Sequence, residues 1–105
     1  MDAQLKRGML EVCVLRAVSD ADSYGYRIVK DVSPYVEISE STLYPILRRL
    51  ETAGCLEAYS VEHNGRLRRY YRITEEGRRR IDEFLESRDM VLGIYHYIEE
   101  GSHEV

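Results

Sequence analysis

From Leu5 to Val18, "LKRGMLEVCVLRAV", apolar residues fall almost all round a helix, interrupted by Glu11 and Arg16. A helix apolar on most sides needs cover on most sides. One face packs on its own domain, and the remainder predicts a second partner. The following "SDADSYGYRIVKDV" opens with a polar turn at Asp20 to Ser23. Ser23 or its neighbour is placed to cap a short helix running to about Val32, with Ile28, Val29 and Val32 on its buried side. Pro34 is expected to push Ser33 out of helical geometry and stop that helix.

The stretch "STLYPILRRL" repeats as a helix does, yet contains Pro45. A helix beginning near Ser39 or Ser41 and ending at a left-handed Gly54 accommodates it. Leu43, Ile46, Leu47 and Leu50 form one stripe, while Ser41, Tyr44, Pro45, Arg48 and Arg49 form the opposite one, with Thr42 beside it. An interior proline costs roughly 3 kcal/mol through a lost bond and a steric clash. Near the helix start and on the outward stripe, Pro45 disturbs no apolar contact.

Beyond Gly54 the period changes to alternation, with a break at Asn64-Gly65, a dipeptide that accepts positive φ at both positions and signals a hairpin. Strands of about 55–61 and 67–73 follow. Leu67, Tyr71 and Ile73 share one face of the second strand; Arg66, Arg68, Tyr70 and Arg72 share the other, which is basic and aromatic. Thr74 then caps a last helix with Glu75 and Glu76 in its first turn, where the dipole favours acids. Ile81, Phe84, Leu85, Val91, Leu92, Tyr95 and Ile98 recur at helical spacing to about Glu100. Such a helix of about 26 residues would be roughly 39 Å long. Arg88 interrupts this seam, setting its register or tilting outward toward Asp89 or Glu86, and Gly93 marks a bend or a close helix approach.

The resulting fold class is mainly α with a small antiparallel β-hairpin: a winged helix-turn-helix over residues 1–74, then a long C-terminal helix and short tail over 75–105 that serves dimerisation. With 105 residues, 44% of them apolar, the chain forms one small domain with little core to spare. No apolar run is long enough for a membrane span and no signal core opens the chain, so a cytoplasmic location is expected.

The net charge of −4 argues against nucleic acid until its distribution is considered. Residues 1–38 carry −1, residues 39–80 carry +3 and residues 81–105 carry −6. Basic groups gathered in the middle third are the electrostatic footprint of a DNA binder. The third helix fits the major groove, where Arg48 or Arg49 is placed to hold guanine bidentately, and Arg66 and Arg68 near the hairpin tip suit phosphates or the minor groove.

Other chemistry is thinly represented. Cys13 and Cys55 are single thiols among apolar neighbours, and His63, His96 and His103 lack ligand spacing, so neither a metal nor a cofactor is implied. A catalytic reading finds no Gly-rich phosphate loop and no nucleophile with a positioned base. A protein-binding winged helix remains the alternative, although such a face more often carries apolar anchors than arginines. Arg78, Arg79 and Arg80 read as a solvated face pairing with nearby acids, and of Tyr70 and Tyr71 one belongs to the core.

"YGYRIVKDV", "STLYPILRRLETAGCLE" and "GRLRRYYRITEEGRRRI", in this order and with the "LKRGMLEVCVL" opening, closely resemble the signature blocks of the PadR family of bacterial transcriptional regulators over about Leu5 to Ile81. The resemblance implies a homodimeric repressor that sets a recognition helix and wing from each subunit on a near-palindromic operator of double-stranded DNA. Carried over by position, it assigns the DNA side to Tyr24, Tyr26, Ser41, Thr42, Tyr44, Pro45, Arg48, Gly65, Arg66, Arg68 and Tyr70, with Arg49 beside them and Lys6 adding a phosphate contact. At least one of Tyr24 and Tyr26 also reads as structural. The expected dimer interface comprises Leu5, Met9, Val12, Ile81, Phe84, Leu85, Arg88, Val91, Leu92, Tyr95 and Ile98, the last helix packing on the partner's first. Family members often respond to small-molecule effectors. The short multidrug-binding members use a flat apolar pocket helped by tryptophan, which this chain lacks, so Met90, Tyr95 and Tyr97 are the candidates for a different effector pocket.

Overall fold

The computed structural model describes residues 3–101. His103 and the tail expected after the last helix lie outside the described residues, as do residues 1 and 2. The elements run α1 (Ala3–Ala17), β1 (Ser23–Tyr24), α2 (Gly25–Val32), α3 (Glu40–Thr52), β2 (Leu56–His63), β3 (Arg66–Ile73), α4 (Glu75–Glu86) and α5 (Arg88–Gly101).

The apolar stripes predicted from spacing meet in one core. Leu10, Val14 and Leu15 of α1, Ile28 and Val32 of α2, and Leu43, Ile46, Leu47 and Leu50 of α3 close on Leu56, Tyr71 and Ile73 of the sheet. Val18, Ile38 and Cys55 complete it, and Cys13 is only half-buried, with burial pushing its thiol pKa up.

Local chemistry accounts for most boundaries. Ser39 caps α3 by accepting from the Thr42 N–H, and Gly54 ends the segment at φ 77°. Pro45 supplies no N–H to the Ser41 carbonyl four residues back, but that residue sits in the exposed first turn, where water can replace the bond. Thr74 caps α4 through the Gly77 N–H while its hydroxyl donates to the Gly54 carbonyl over 2.6 Å, stitching the end of α3 to the start of α4.

Several expectations need correction. Ser23 is no helix cap: it is buried in β1, and the cap position of α2 is Tyr24, which makes no side-chain capping bond. The hairpin is the larger part of a three-stranded antiparallel sheet ordered β1-β3-β2, because Ser23 pairs with Tyr71 and Tyr24 with Tyr70. α2 does stop at Val32, but Ser33 just past it keeps helical dihedrals at φ −53° despite Pro34, since both its N–H and its hydroxyl donate to the Val29 carbonyl. Leu67 shares the face of Tyr71 and Ile73 but projects past the body and is 77% exposed.

The C-terminal helical stretch is present but divided at Ser87, where the backbone turns as a tighter turn: the Ser87 N–H and hydroxyl both address the Phe84 carbonyl. The break thus falls at Ser87 rather than at Gly93, which lies inside α5. α4 stays on the body, its Gly77 buried and Ile81 packed against the core. α5 carries its residues exposed and draws the molecule out to 68 × 26 × 21 Å.

Candidate nucleic-acid interface

α3 presents a hydroxyl cluster at its N-terminus. Ser39 Oγ lies 3.0 Å from Ser41 Oγ and 3.1 Å from Thr42 Oγ1, so the predicted pair Ser41 and Thr42 is organised by a third hydroxyl that spacing alone did not single out. Tyr44, Pro45 and Arg48 follow along the outward side. Arg48 and Arg66 meet no carboxylate among the described residues and remain available to an outside anion.

The wing forms by register. β2 and β3 pair from Leu56 with Ile73 to His63 with Arg66, and the connecting Asn64 and Gly65 take φ 51° and 77° as the two-residue turn requires. Gly65 and Arg66 therefore sit at the tip. Alternation then sorts the arginines, with Arg66, Arg68 and Arg72 sharing the face of Tyr70, while Arg69 shares that of Tyr71.

Three tyrosines cross the sheet in one row. Tyr24 meets Tyr70 edge-on with ring centroids 5.4 Å apart, and Tyr70 stacks on Tyr59 at 5.8 Å. Arg68 covers the Tyr24 ring at 4.2 Å and Arg72 covers Tyr59 at 5.3 Å. Tyr24 is therefore held within the sheet, whereas Tyr26 stands 61% exposed at the start of α2 with Lys30 above its ring.

These elements enclose a cleft of about 390 Å³ lined by Tyr24, Gly25, Tyr26, Glu40, Tyr44, Arg68, Arg69 and Tyr71. Gly25 makes room for Tyr44: a Cβ built there would stand 3.1 Å from the Tyr44 hydroxyl oxygen. Arg69, absent from the predicted set, lines the cleft and is drawn to α3, its Nη2 lying 3.2 and 3.3 Å from the two Glu51 oxygens. That bond raises the Arg69 pKa, and burial raises that of Tyr71. Alternation along β3 puts Arg69 on the face of Tyr71, but its meeting with Glu51 depends on how α3 packs beside the sheet.

The other predicted residues fall elsewhere. Arg49 turns to α1, where its Nε donates to Glu11 Oε1 over 3.3 Å. Lys6 lines an apolar groove of about 750 Å³ with Met9, Val12, Ile81, Phe84 and Leu85, away from the tyrosine cleft. Leu5 joins Met9, Val12 and Phe84 in an adjoining hollow. Val91, Leu92, Tyr95 and Ile98, with Arg88, are exposed along α5, as are Met90 and Tyr97. Of the arginine run, Arg78 donates to the Ser19 carbonyl, Arg79 pairs with Glu76 and Arg80 with Glu11.

Among the described residues, no helix is long and apolar enough to cross a membrane. Residues 14–83 match the family described as Transcriptional regulator PadR-like family. The chain is 32% identical over 81 residues to the transcriptional regulator Rv3488 of Mycobacterium tuberculosis, a match covering 76% of each chain. Its fold is similar to that of a transcriptional regulator from Clostridium thermocellum, with a TM-score of 0.80 and 31% identity over 90% of this chain and 96% of that one. A PadR family transcriptional regulator from Eggerthella lenta superposes with a TM-score of 0.77 at 36% identity, over 91% of this chain and 87% of that one.

Proposed function

The chain belongs to the PadR-like family of transcriptional regulators, which are not enzymes, and from that premise we propose that it is a homodimeric repressor acting on a near-palindromic operator. Each protomer sets α3 in the major groove and its wing on the flanking backbone. The observation that carries this reading is the division of α3, whose leucine and isoleucine side is fully buried while Ser41, Thr42, Tyr44 and Arg48 face outward beside the arginine-bearing wing. Hydroxyls and guanidiniums at that spacing suit phosphates and base edges.

Dimerisation draws support from α5. Val91, Leu92, Ile94, Tyr95 and Ile98 leave this helix with a broad apolar surface, and the groove between α1 and α4 offers another on the same chain. Burying both against a second copy stabilises at roughly 25 cal/mol per Å² of apolar area. An effector bound between paired α5 helices, near Met90, Tyr95 and Tyr97, then reports on the spacing of the two reading heads. The protein works in the cytoplasm, where its operator is.

The test is selection of fragmented host DNA by the purified protein at physiological salt, followed by sequencing. A short palindrome upstream of a small set of genes is expected. Salt-sensitive binding without sequence preference, or none, overturns the operator reading and favours a partner-binding module.

A further inference from the structure

A second concavity beside α3, of about 690 Å³ and open to solvent, is lined by Glu11 of α1, Pro45, Arg48, Arg49 and Thr52 of α3, and Arg80 of α4. Three guanidiniums thus line it beside a single carboxylate, which pairs only with Arg49 and Arg80, leaving a local excess of positive charge. The Glu11 side chain is the deepest of the paired groups, 18% exposed, against 41% for Arg49 and 37% for Arg80. The carboxylate stands behind and the cations stand in front.

The pairing leaves capacity over. Arg49 uses only its Nε on Glu11 Oε1, at 3.3 Å, and Arg80 Nη1 stays 3.7 Å from Glu11 Oε2, beyond a direct hydrogen bond. Glu11 therefore orients the two side chains while leaving the Nη donors of both uncommitted. A guanidinium grips a phosphodiester through two parallel N–H donors, and holding it in place beforehand lowers the ordering cost. Pro45, Arg48 and Thr52 continue the outward stripe of α3 into this concavity, so a duplex read by that stripe carries its backbone past Arg49 and Arg80.

We propose that Arg49 and Arg80, held from behind by Glu11, form a DNA-phosphate subsite beside the recognition helix. Arg49 then grips backbone instead of reading guanine, and α4 adds a DNA contact outside the helix-and-wing set. The subsite rests on the DNA reading above.

The test compares R80A with R79A on the fragment that the wild type selects, in the same titration across salt concentrations. Arg79 is the neighbouring cation, paired with Glu76 and outside the concavity, so it corrects for the loss of one positive charge. R80A is expected to weaken binding about tenfold and to reduce the slope of log affinity against log salt by about 1 per protomer, while R79A does neither. R80K keeps the charge opposite Glu11 and is the variant to read should R80A not fold. It is expected to keep the slope and lose affinity several-fold, because an ammonium acts as a point charge rather than a fork. Equal behaviour of R80A and R79A, or wild-type affinity in R80K, overturns the subsite alone. A wild type that binds no duplex overturns the DNA reading with it.

Discussion

The Tyr59 hydroxyl donates to Asp22 Oδ2 over 2.5 Å, joining the middle of β2 to the turn that precedes β1. Two residues beyond Asp22, the Tyr24 ring meets Tyr70, which stacks on Tyr59, so bond and rings close a circuit across all three strands. The wing is thereby fastened to the entry of α2.

That bond raises the Tyr59 pKa, because Asp22 accepts a hydrogen bond that only the neutral phenol can donate; burial and the Asp22 charge add to the shift, while Arg72 opposes it. A folded pKa above the unfolded value of about 10 means that the contribution is present below that value and is lost as pH rises through the folded pKa. Y59F is expected to melt below the wild type at neutral pH, with the gap closing above the ordinary tyrosine range. Parallel melts from neutral to alkaline pH check this, and a constant gap would refute it.

Gly77 has no room for a side chain. A Cβ there would stand 2.5 Å from the Cys55 carbonyl oxygen and 2.7 Å from Ile73 Cγ1, and the first is backbone that cannot swing aside. G77A should lower stability by about 1–3 kcal/mol, read by urea or thermal unfolding. Wild-type stability would mean that α4 sits less tightly on the base of the wing.

Arg66 at the wing tip has no acidic partner among the described residues, and Arg68 lies over Tyr24 beside the cleft. Replacing both with alanine should weaken binding to the selected operator by about tenfold or more. Circular dichroism should stay unchanged, since neither guanidinium enters the core. Undiminished affinity with a normal spectrum would remove the wing from the interface.

Leu85 lines the groove between α1 and α4, and Val91 is exposed on α5. L85E combined with V91E should yield monomer or unfolded protein, because two carboxylates in an apolar seam lose their hydration. Light scattering gives the mass directly. A persistent dimer would place the contact elsewhere.

Much of this fold is written in features that act within a few residues of themselves. Ser39 and Thr74 find N–H groups three positions ahead, and the leucines of α3 align whatever they pack against. Asn64 and Gly65 turn the chain by their own conformational freedom, so the hairpin and its sorting of Tyr70 outward and Tyr71 inward were legible.

Tertiary structure alone decided the relationships between distant segments. Ser23 read as the end of a polar turn and Tyr24 as part of the second helix because a two-residue strand has no period; only Tyr70 and Tyr71, far along the chain, supply its hydrogen bonds. Glu11 read as an interruption in an apolar helix until the packing of α1 against α3 and α4 set Arg49 and Arg80 around it. Caps and turns are determined by the sequence because their partners lie within one turn of backbone, whereas ion pairs and strand registers depend on which surfaces the hydrophobic core has already brought together.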